Sequence, residues 1–467
     1  MTVNWRNKRV IILGAARQGL ALARYLSRHG AQVVLNDRRQ ADQLQDEMGQ
    51  MESLGVEWVT GGHPLSLLEP RPDLLCISGG VPLTNPLAQA AVADGIPISN
   101  DTQVFMEVAP CKTLGITGSA GKTTTTTLVG RIAQSNRAGK YGRIWVGGNI
   151  GDPLINYVDE MGPSDLAILE ISSFQLEQMT RSPHIAAILN ITPNHLDRHG
   201  TMEAYTAAKA RILDFQSQGD VSILSRDDPG AWGLAEKVKG RLFSFGFSPL
   251  PPGQDGAYIE NEKFYLRESG RVTRLPVENH IELRGEHNRL NVLAACAIAH
   301  AAGFSPQDME AGVTGFQGVP HRLEFVRAWR GAHWYNDSIA TAPERTIAAI
   351  KSFSGPLILL LGGRDKDLPW EELGKLVRQR VDHVVIFGEA AEKIQAAIGQ
   401  RIPGSKPYSL TRVATCREAV LAASRLAQPG FIVLFSPGGT SYDEFKDFEE
   451  RGERFKEWVR EFSETLR

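Results

Sequence analysis

The chain has 467 residues, more than one ordinary domain holds, and a prior of roughly 100–200 residues per domain implies two to four. Its 51 Lys and Arg against 53 Asp and Glu leave a net charge of -2, which excludes the broad basic field of a nucleic-acid binder, and no apolar run approaches the ~18 residues of a membrane span. The N-terminal apolar stretch is short and runs into a glycine turn, unlike a signal peptide. The cysteines Cys76, Cys111, Cys296 and Cys416 form no CxxC pair, so a reducing cytoplasm is expected, without disulfides or a zinc site.

In chain order, Arg9 to Gly14 reads as a strand, AARQG as a turn, LALARYLSRHG as a helix and AQVVLND as a second strand ending at Asp37. DLLCISGG and NPLAQAAVADGIPISN continue the alternation, which predicts a parallel sheet covered on both faces. A second α/β section opens with KTLGITGSAGKTTTTTLVGRIA and continues through DLAILEIS and HIAAILNIT, with SPLPPGQDG as a Pro/Gly-rich loop and HNRLNVLAACAIAHAAG as a helix closed by Gly303. After a Gly/Pro stretch from Gly315 to Pro320, the runs PLILLLGG, HVVIFG and FIVLFSPGG each read as a buried strand ending in glycine. Three α/β domains are predicted, over residues 1–101, 102–318 and 319–467. In parallel sheets ligands sit at the carboxyl ends of strands, so chemistry is sought in the loops after these runs.

Gly118-Ser119-Ala120-Gly121-Lys122-Thr123-Thr124 lies between a strand and a helix. Glycines let backbone N–H groups face phosphate oxygens, Lys122 can reach the β/γ-phosphates and the Thr123 hydroxyl can ligate Mg²⁺, which predicts ATP binding. Ile116 stands where the strict pattern has its first glycine, so the cradle is shorter. Glu170 ends the strand DLAILE, where a hard carboxylate suits Mg²⁺. The segment Asn190 to His199, with Asn194, His195, Asp197 and Arg198, crowds imidazole, carboxylate and guanidinium into one loop. In the first βαβ unit, Gly14-Ala15-Ala16-Arg17 has Ala16 where a dinucleotide fingerprint has its middle glycine. That turn, with Ser78 and Gly79 as a second loop, reads equally as a nucleotide-diphosphate site or as a packing turn.

Together GSAGKTT, GGNIG, ILEISSFQLE, NHLDRHG, GEHNRLN, HRLE, NDS and SPGGTSYDEFKDFEERG resemble, across nearly the whole chain, the ordered blocks of the Mur ligase family of ATP-dependent amide-forming enzymes. The resemblance is to the branch that joins glutamate to UDP-N-acetylmuramoyl-L-alanine. It implies an N-terminal Rossmann-like UDP-binding domain, a central P-loop ATPase domain and a C-terminal Rossmann-like domain. It also implies an acyl-phosphate intermediate, ATP and Mg²⁺ as cofactors, and a cytoplasmic monomer that binds neither nucleic acid nor membrane.

By this resemblance Lys122, His195 and Lys209 are catalytic, and Gly118 to Thr124 with Asn291, Arg322 and Asp337 bind ATP. Thr123, Glu170, His195 and a carbamylated Lys209 hold metal. Gly14, Ala15, Ala16, Arg17, Asp37, Ser78, Gly79, Asn149, Ser172 and Gln175 hold the UDP substrate. Thr341, Lys366, Ser441 and Phe448 hold glutamate. Two positions depart from the resembled motifs: Ile339 replaces the lysine of Asp-Ser-Lys, and Asn194 stands where an acid is common. D-glutamate is the expected acceptor and L-glutamate the alternative. A nicotinamide-dependent oxidoreductase leaves the phosphate loop idle, and a nucleotide-sensing module would show no amino-acid-dependent ADP release.

Overall fold

The computed structural model describes residues 4–465 apart from 284, 366, 367 and 401. The chain divides into two compact units, Met1–Phe316 and Gln317–Arg467. Three sheets are built, two in the first unit and one in the second.

The first sheet contains β1 (Arg9–Leu13), β2 (Gln32–Asp37), β3 (Glu57–Thr60), β4 (Leu74–Ile77) and β5 (Ile98–Ser99), in the order β3-β2-β1-β4-β5 and all parallel. Its strands are apolar at successive positions because both faces are covered. Val10, Ile12 and Leu35 pack on one side, while Ile11, Leu13, Val34 and Ile77 pack on the other. After β1 the backbone turns at Gly14, with φ at 97°. The helix Arg17–Arg28 then approaches so closely that a Cβ on Gly19 would overlap the Gly14 carbonyl oxygen. This is the close helix–strand packing for which the last glycine of such turns is required.

The central sheet runs β6 (Lys112–Thr117), β7 (Ile144–Gly148), β8 (Leu166–Glu170), β9 (Ile185–Ile188), β10 (Val221–Ser225), β11 (Arg241–Gly246), β12 (Gly256–Glu260), β13 (Lys263–Glu268) and β14 (Arg271–Leu275). The order is β14-β13-β12-β11-β10-β9-β6-β8-β7, parallel from β7 to β12 and antiparallel through the last two pairs. The two hairpins turn at Asn261-Glu262 and Ser269-Gly270, where all four residues have positive φ, the geometry that matches strand twist in two-residue hairpins. One continuous core extends from the first sheet into the central one, including Leu22, Phe105, Ile155 and Leu169, so both belong to a single unit. The helix Glu286–Ala302 ends at Gly303, with φ at 88° in the left-handed region, as its sequence predicts.

In the second unit, β15 (Glu324–Trp329) and β16 (Ala332–Asn336) form a hairpin through Arg330-Gly331. β17 (Leu357–Gly362), β18 (His383–Phe387), β19 (Ser409–Arg412) and β20 (Ile432–Gly438) complete a sheet of order β15-β16-β20-β17-β18-β19. Leu357, Leu359 and Leu361 face one core while Ile358 and Leu360 face the other, which explains the unbroken apolar run of β17.

Candidate active site

The order β9-β6-β8 sets three strand ends side by side, so the phosphate loop after β6, Glu170 at the end of β8 and the 189–200 segment after β9 are neighbours. The loop is held by its neighbour. Ser119 N–H donates to the Asn190 carbonyl at 2.9 Å and Ala120 N–H to Asn190 Oδ1 at 2.8 Å. Ser119 Oγ donates to the Thr192 carbonyl at 2.9 Å and lies 3.0 Å from the Tyr205 hydroxyl. Gly121, with φ at 81°, opens the helix Lys122–Ser135, and Asn291 packs directly against it. Lys122 Nζ donates to the Gly118 carbonyl at 2.8 Å, folded over the loop whose anion it is expected to meet.

Glu170 is 2% exposed. Its Oε1 accepts from Asn149 Nδ2 at 2.8 Å, whereas the buried Oε2 meets no hydrogen-bond partner among the described residues. A buried carboxylate oxygen left in this way is costly unless a cation satisfies it, so the site fits a divalent metal. The Thr123 side chain, 7% exposed, lies in the first turn of the same helix as Lys122. Among the described residues no three His, Cys, Asp or Glu side chains form a metal-holding group.

Lys209 lies in the helix Met202–Asp214 and is 1% exposed. Its Nζ donates to the Gly118 carbonyl at 3.0 Å and stands 4.7 Å from the centre of the Tyr205 ring. Burial holds this ammonium well below the usual lysine range and the Lys122 cation adds to the effect, while Glu170 opposes it. His195 adopts φ of 53° at the start of the turn Leu196–His199 and packs its ring edge-on to Phe174 at 5.1 Å. His199 is fixed by Ser173 Oγ at 2.9 Å and Glu177 Oε1 at 2.9 Å, which orients the segment that carries His195.

Around the first sheet, Ser78 Oγ donates to the Gly14 carbonyl at 3.0 Å. Asp37 Oδ2 accepts the Ala15 N–H at 2.8 Å and Asp37 Oδ1 accepts from Arg39 Nε at 3.1 Å. Burial raises the Asp37 pKa, but the Arg39 and Ala15 hydrogen bonds outweigh it and leave the carboxyl below its ordinary value. Asp37 thus shapes the turn with its own hydrogen bonds. Arg17 Nη2 lies 3.5 Å from the Asn149 carbonyl, which brings the first turn toward the GGNIG loop. Ser172 and Gln175 cap the short helix Ser173–Leu176 reciprocally, and Gln175 Nε2 also donates to Thr102 Oγ1 at 2.6 Å.

In the second unit, Asp337, Thr341, Ser441 and Phe448 gather at the carboxyl ends of β16 and β20, where Gly438 N–H donates to the Ala340 carbonyl at 2.8 Å and Ser338 Oγ to the Phe448 carbonyl at 2.8 Å. Burial pushes the Asp337 carboxyl up to about 6, against hydrogen bonds from Ser436 Oγ and Leu323 N–H and the cations of Arg322 and Arg345. Arg322 sits between two positive-φ residues, His321 at 63° and Leu323 at 45°. Such strain is typical of functional loops. Lys366 lies outside the described residues. Arg451, fully buried, donates to Ser338 Oγ, the Ser338 carbonyl and the Gly439 carbonyl at 3.0, 2.9 and 3.1 Å and so ties these loops together. Asn190 and Arg451 are the two organisers not anticipated as site residues. Asn190 follows a strand in a polar block, but Arg451 sits in an acidic helix and reads as a surface residue.

Three family models match in order: "Mur ligase MurD-like, N-terminal domain" over residues 8–100, "Mur ligase middle domain" over 116–299 and "Mur ligase, glutamate ligase domain" over 321–439. The UDP-N-acetylmuramoylalanine–D-glutamate ligase of Symbiobacterium thermophilum is 39% identical over 456 residues, covering 98% of each chain. That of Acidobacterium capsulatum is 40% identical over 457 residues, covering 97% of this chain and 96% of its own. Among solved structures, UDP-N-acetylmuramate–alanine ligase from Thermotoga maritima aligns with a TM-score of 0.53 at 18% identity, over 97% of this chain and all (100%) of its own, a likeness of fold.

Proposed function

Because the chain belongs to the Mur ligase family, we propose that it is an ATP-dependent ligase joining D-glutamate to UDP-N-acetylmuramoyl-L-alanine in peptidoglycan precursor synthesis. The observation that carries this reading is the meeting of three groups at one sheet end: a phosphate loop with its lysine, a buried carboxylate with an unsatisfied oxygen, and a buried lysine amine. Segments 1–101, 102–318 and 319–467 serve the UDP substrate, ATP and glutamate respectively.

The γ-phosphoryl group of ATP passes to the alanyl carboxylate, giving an acyl phosphate and ADP. The glutamate amine attacks the acyl carbon, the tetrahedral intermediate expels phosphate, and the nitrogen loses a proton to leave the amide. Such transfers depend on positioning and charge neutralisation more than on covalent help. Gly118 to Thr124 present N–H groups to the phosphates, and Lys122 turns from the Gly118 carbonyl to the β/γ-phosphates. In the first unit Asn291, which packs against Gly121, is assigned to the rest of the nucleotide; by the family pattern Arg322 and Asp337 of the second unit are assigned to ATP as well.

Lys209, whose burial disfavours the ammonium form, would add CO₂ through its amine and lose a proton, which converts a neutral amine into an anionic oxygen donor. Thr123 and Glu170 would hold one Mg²⁺, and His195 with the Lys209 carbamate a second; the metal supplies neutralisation of phosphate charge. Gly14 to Arg17, Asp37, Ser78 and Gly79 shape the UDP seat, Asn149, Ser172 and Gln175 the muramoyl-alanine seat. Thr341, Lys366, Ser441 and Phe448 form the glutamate seat. By the same family pattern the enzyme acts as a monomer in the cytoplasm. Among the described residues no helix is long and apolar enough to cross a membrane.

The test is phosphate release from ATP with Mg²⁺ and UDP-N-acetylmuramoyl-L-alanine, with D- or L-glutamate added in parallel. Release with D-glutamate alone supports the reading. Release with L-glutamate alone moves the acceptor to the other enantiomer, and release with neither refutes the ligase assignment.

A further inference from the structure

In the loop after β10, Asp228-Pro229-Gly230 has the composition of a helix start, an aspartate cap and a proline at the first helical position, and it opens the short helix Pro229–Trp232. A cap needs one N–H, and Asp228 Oδ1 accepts that of Ala231 at 2.8 Å. The same oxygen also accepts the N–H of Ile191 at 3.0 Å, from a segment 37 residues earlier. The approach is close, since a Cβ on Gly230 would overlap the Ile191 carbonyl oxygen.

Sheet order accounts for this meeting. β10 lies beside β9 and β9 beside β6, so the segment 190–192 runs between the loop that carries Asp228 and the phosphate loop. On its other side the segment grips the phosphate loop. The Asn190 amide pairs with the Ala120 main chain at two points, Oδ1 accepting its N–H at 2.8 Å and Nδ2 donating to its carbonyl at 3.1 Å. Thr192 N–H donates to Ser119 Oγ at 3.0 Å. Ile191 thus stands between two residues that hold the loop, with its side chain in the core and its N–H fixed by Asp228. A loop ordered before its ligand arrives binds more tightly, because no ordering is left for the binding step to supply.

We propose that Asp228 is a positioning residue for the nucleotide. By fixing the Ile191 N–H it holds Asn190 in place, and Asn190 keeps the phosphate loop in the form that receives ATP. Asp228 acts through Asn190 and not by contact with the nucleotide. This rests on the reading above, since it presumes that the loop receives ATP.

Steady-state kinetics with each substrate varied in turn, together with direct binding of ADP with Mg²⁺, provide the test. Asp228→Asn keeps an oxygen acceptor for both N–H groups. Asp228→Ser keeps a good helix cap, but its shorter side chain cannot reach Ile191 as well. Asp228→Ser raises the KM for ATP and the ADP dissociation constant about threefold to thirtyfold, the range for one lost hydrogen bond, while the KM values for glutamate and the UDP substrate stay within about twofold. Asp228→Asn stays within about twofold of the parent throughout. Asn190→Ala raises the same two constants, and adding Asp228→Ser to it changes them by less than about twofold, as two residues on one path require. Unchanged ATP and ADP constants in Asp228→Ser, with or without a lower unfolding midpoint, overturn the proposal. So does an Asp228→Asn as impaired as the serine variant, or a double variant in which the two effects multiply. A parent that binds ADP with Mg²⁺ but ligates neither enantiomer removes the ligase reading and leaves residue 228 to be judged by binding, whereas a parent that binds no nucleotide removes both.

Discussion

Replacing Asp101 by Asn should make the first unit more stable at neutral pH and remove part of its pH dependence. Asp101 begins the helix Asp101–Val108, is 6% exposed, and has its carboxyl pushed by burial from 3.8 up to about 6, against a hydrogen bond from Gln175 and the more distant cation of Arg17. The difference is roughly 2 units, which at 1.36 kcal/mol each amounts to about 3 kcal/mol. Because the folded pKa is raised, the folded state binds more protons than the unfolded one between these values, and stability falls as pH rises through that window. Below pH 3.8 the carboxyl is protonated in both states and its contribution is fully present; by about pH 7 it is lost. The amide of the Asp101→Asn variant has the same shape as the carboxyl and no charge to desolvate. Urea unfolding of parent and variant from about pH 4 to 7.5, following the first-unit transition, should show a difference that grows from near zero to about 3 kcal/mol in the variant's favour. Taking the difference also cancels the contribution of Asp337, the other acid raised to about 6. A difference that stays flat across this range, or that grows as pH falls, would refute the claim that this carboxylate is buried at a cost.

Lys209→Met should lower turnover by about a hundredfold or more while leaving the thermal midpoint unchanged or higher, because the replaced group is a buried amine whose charged form is already disfavoured. Removing dissolved CO₂ should depress the parent's activity and bicarbonate restore it; a fully active Lys209→Met would dismiss the carbamate. Gly19→Ala should destabilise the first unit by about 1–3 kcal/mol or more, read by chemical unfolding, since its Cβ would overlap the Gly14 carbonyl. A neutral result there would show that the helix can withdraw from β1.

The parallel cores were legible because buried strands such as β1, β17 and β20 are unbroken apolar runs ended by glycine, and the three sheets follow from that pattern. The hairpins of β12 to β14 were not foreseen. Their strands carry Arg267, Arg271 and Arg274, and their turns, Asn261-Glu262 and Ser269-Gly270, lack the Asn-Gly signature although they adopt the same backbone. In the site, Lys122, Glu170 and Lys209 could be named from residue type, position and family pattern. What sequence could not show is how the phosphate loop is held: Asn190 contacts residues 70 positions away, a pairing set by the crossover of β6 and β9.

The two edges of the central sheet are finished in different ways. At β7 the segment Leu154–Glu160 packs over the strand, and the Asp152 backbone lies so near Gly147 that no side chain fits there. At the other end β14 is the outermost strand, and its exposed Val272 stands between Arg271 and Arg274, the latter paired with Glu278. An outer strand edge is a template for another chain, and charged side chains are the usual way to spoil it. The outermost hairpin therefore acts as a terminator of strand growth, and its arginines bear on how concentrated this protein can become before copies begin to add to one another.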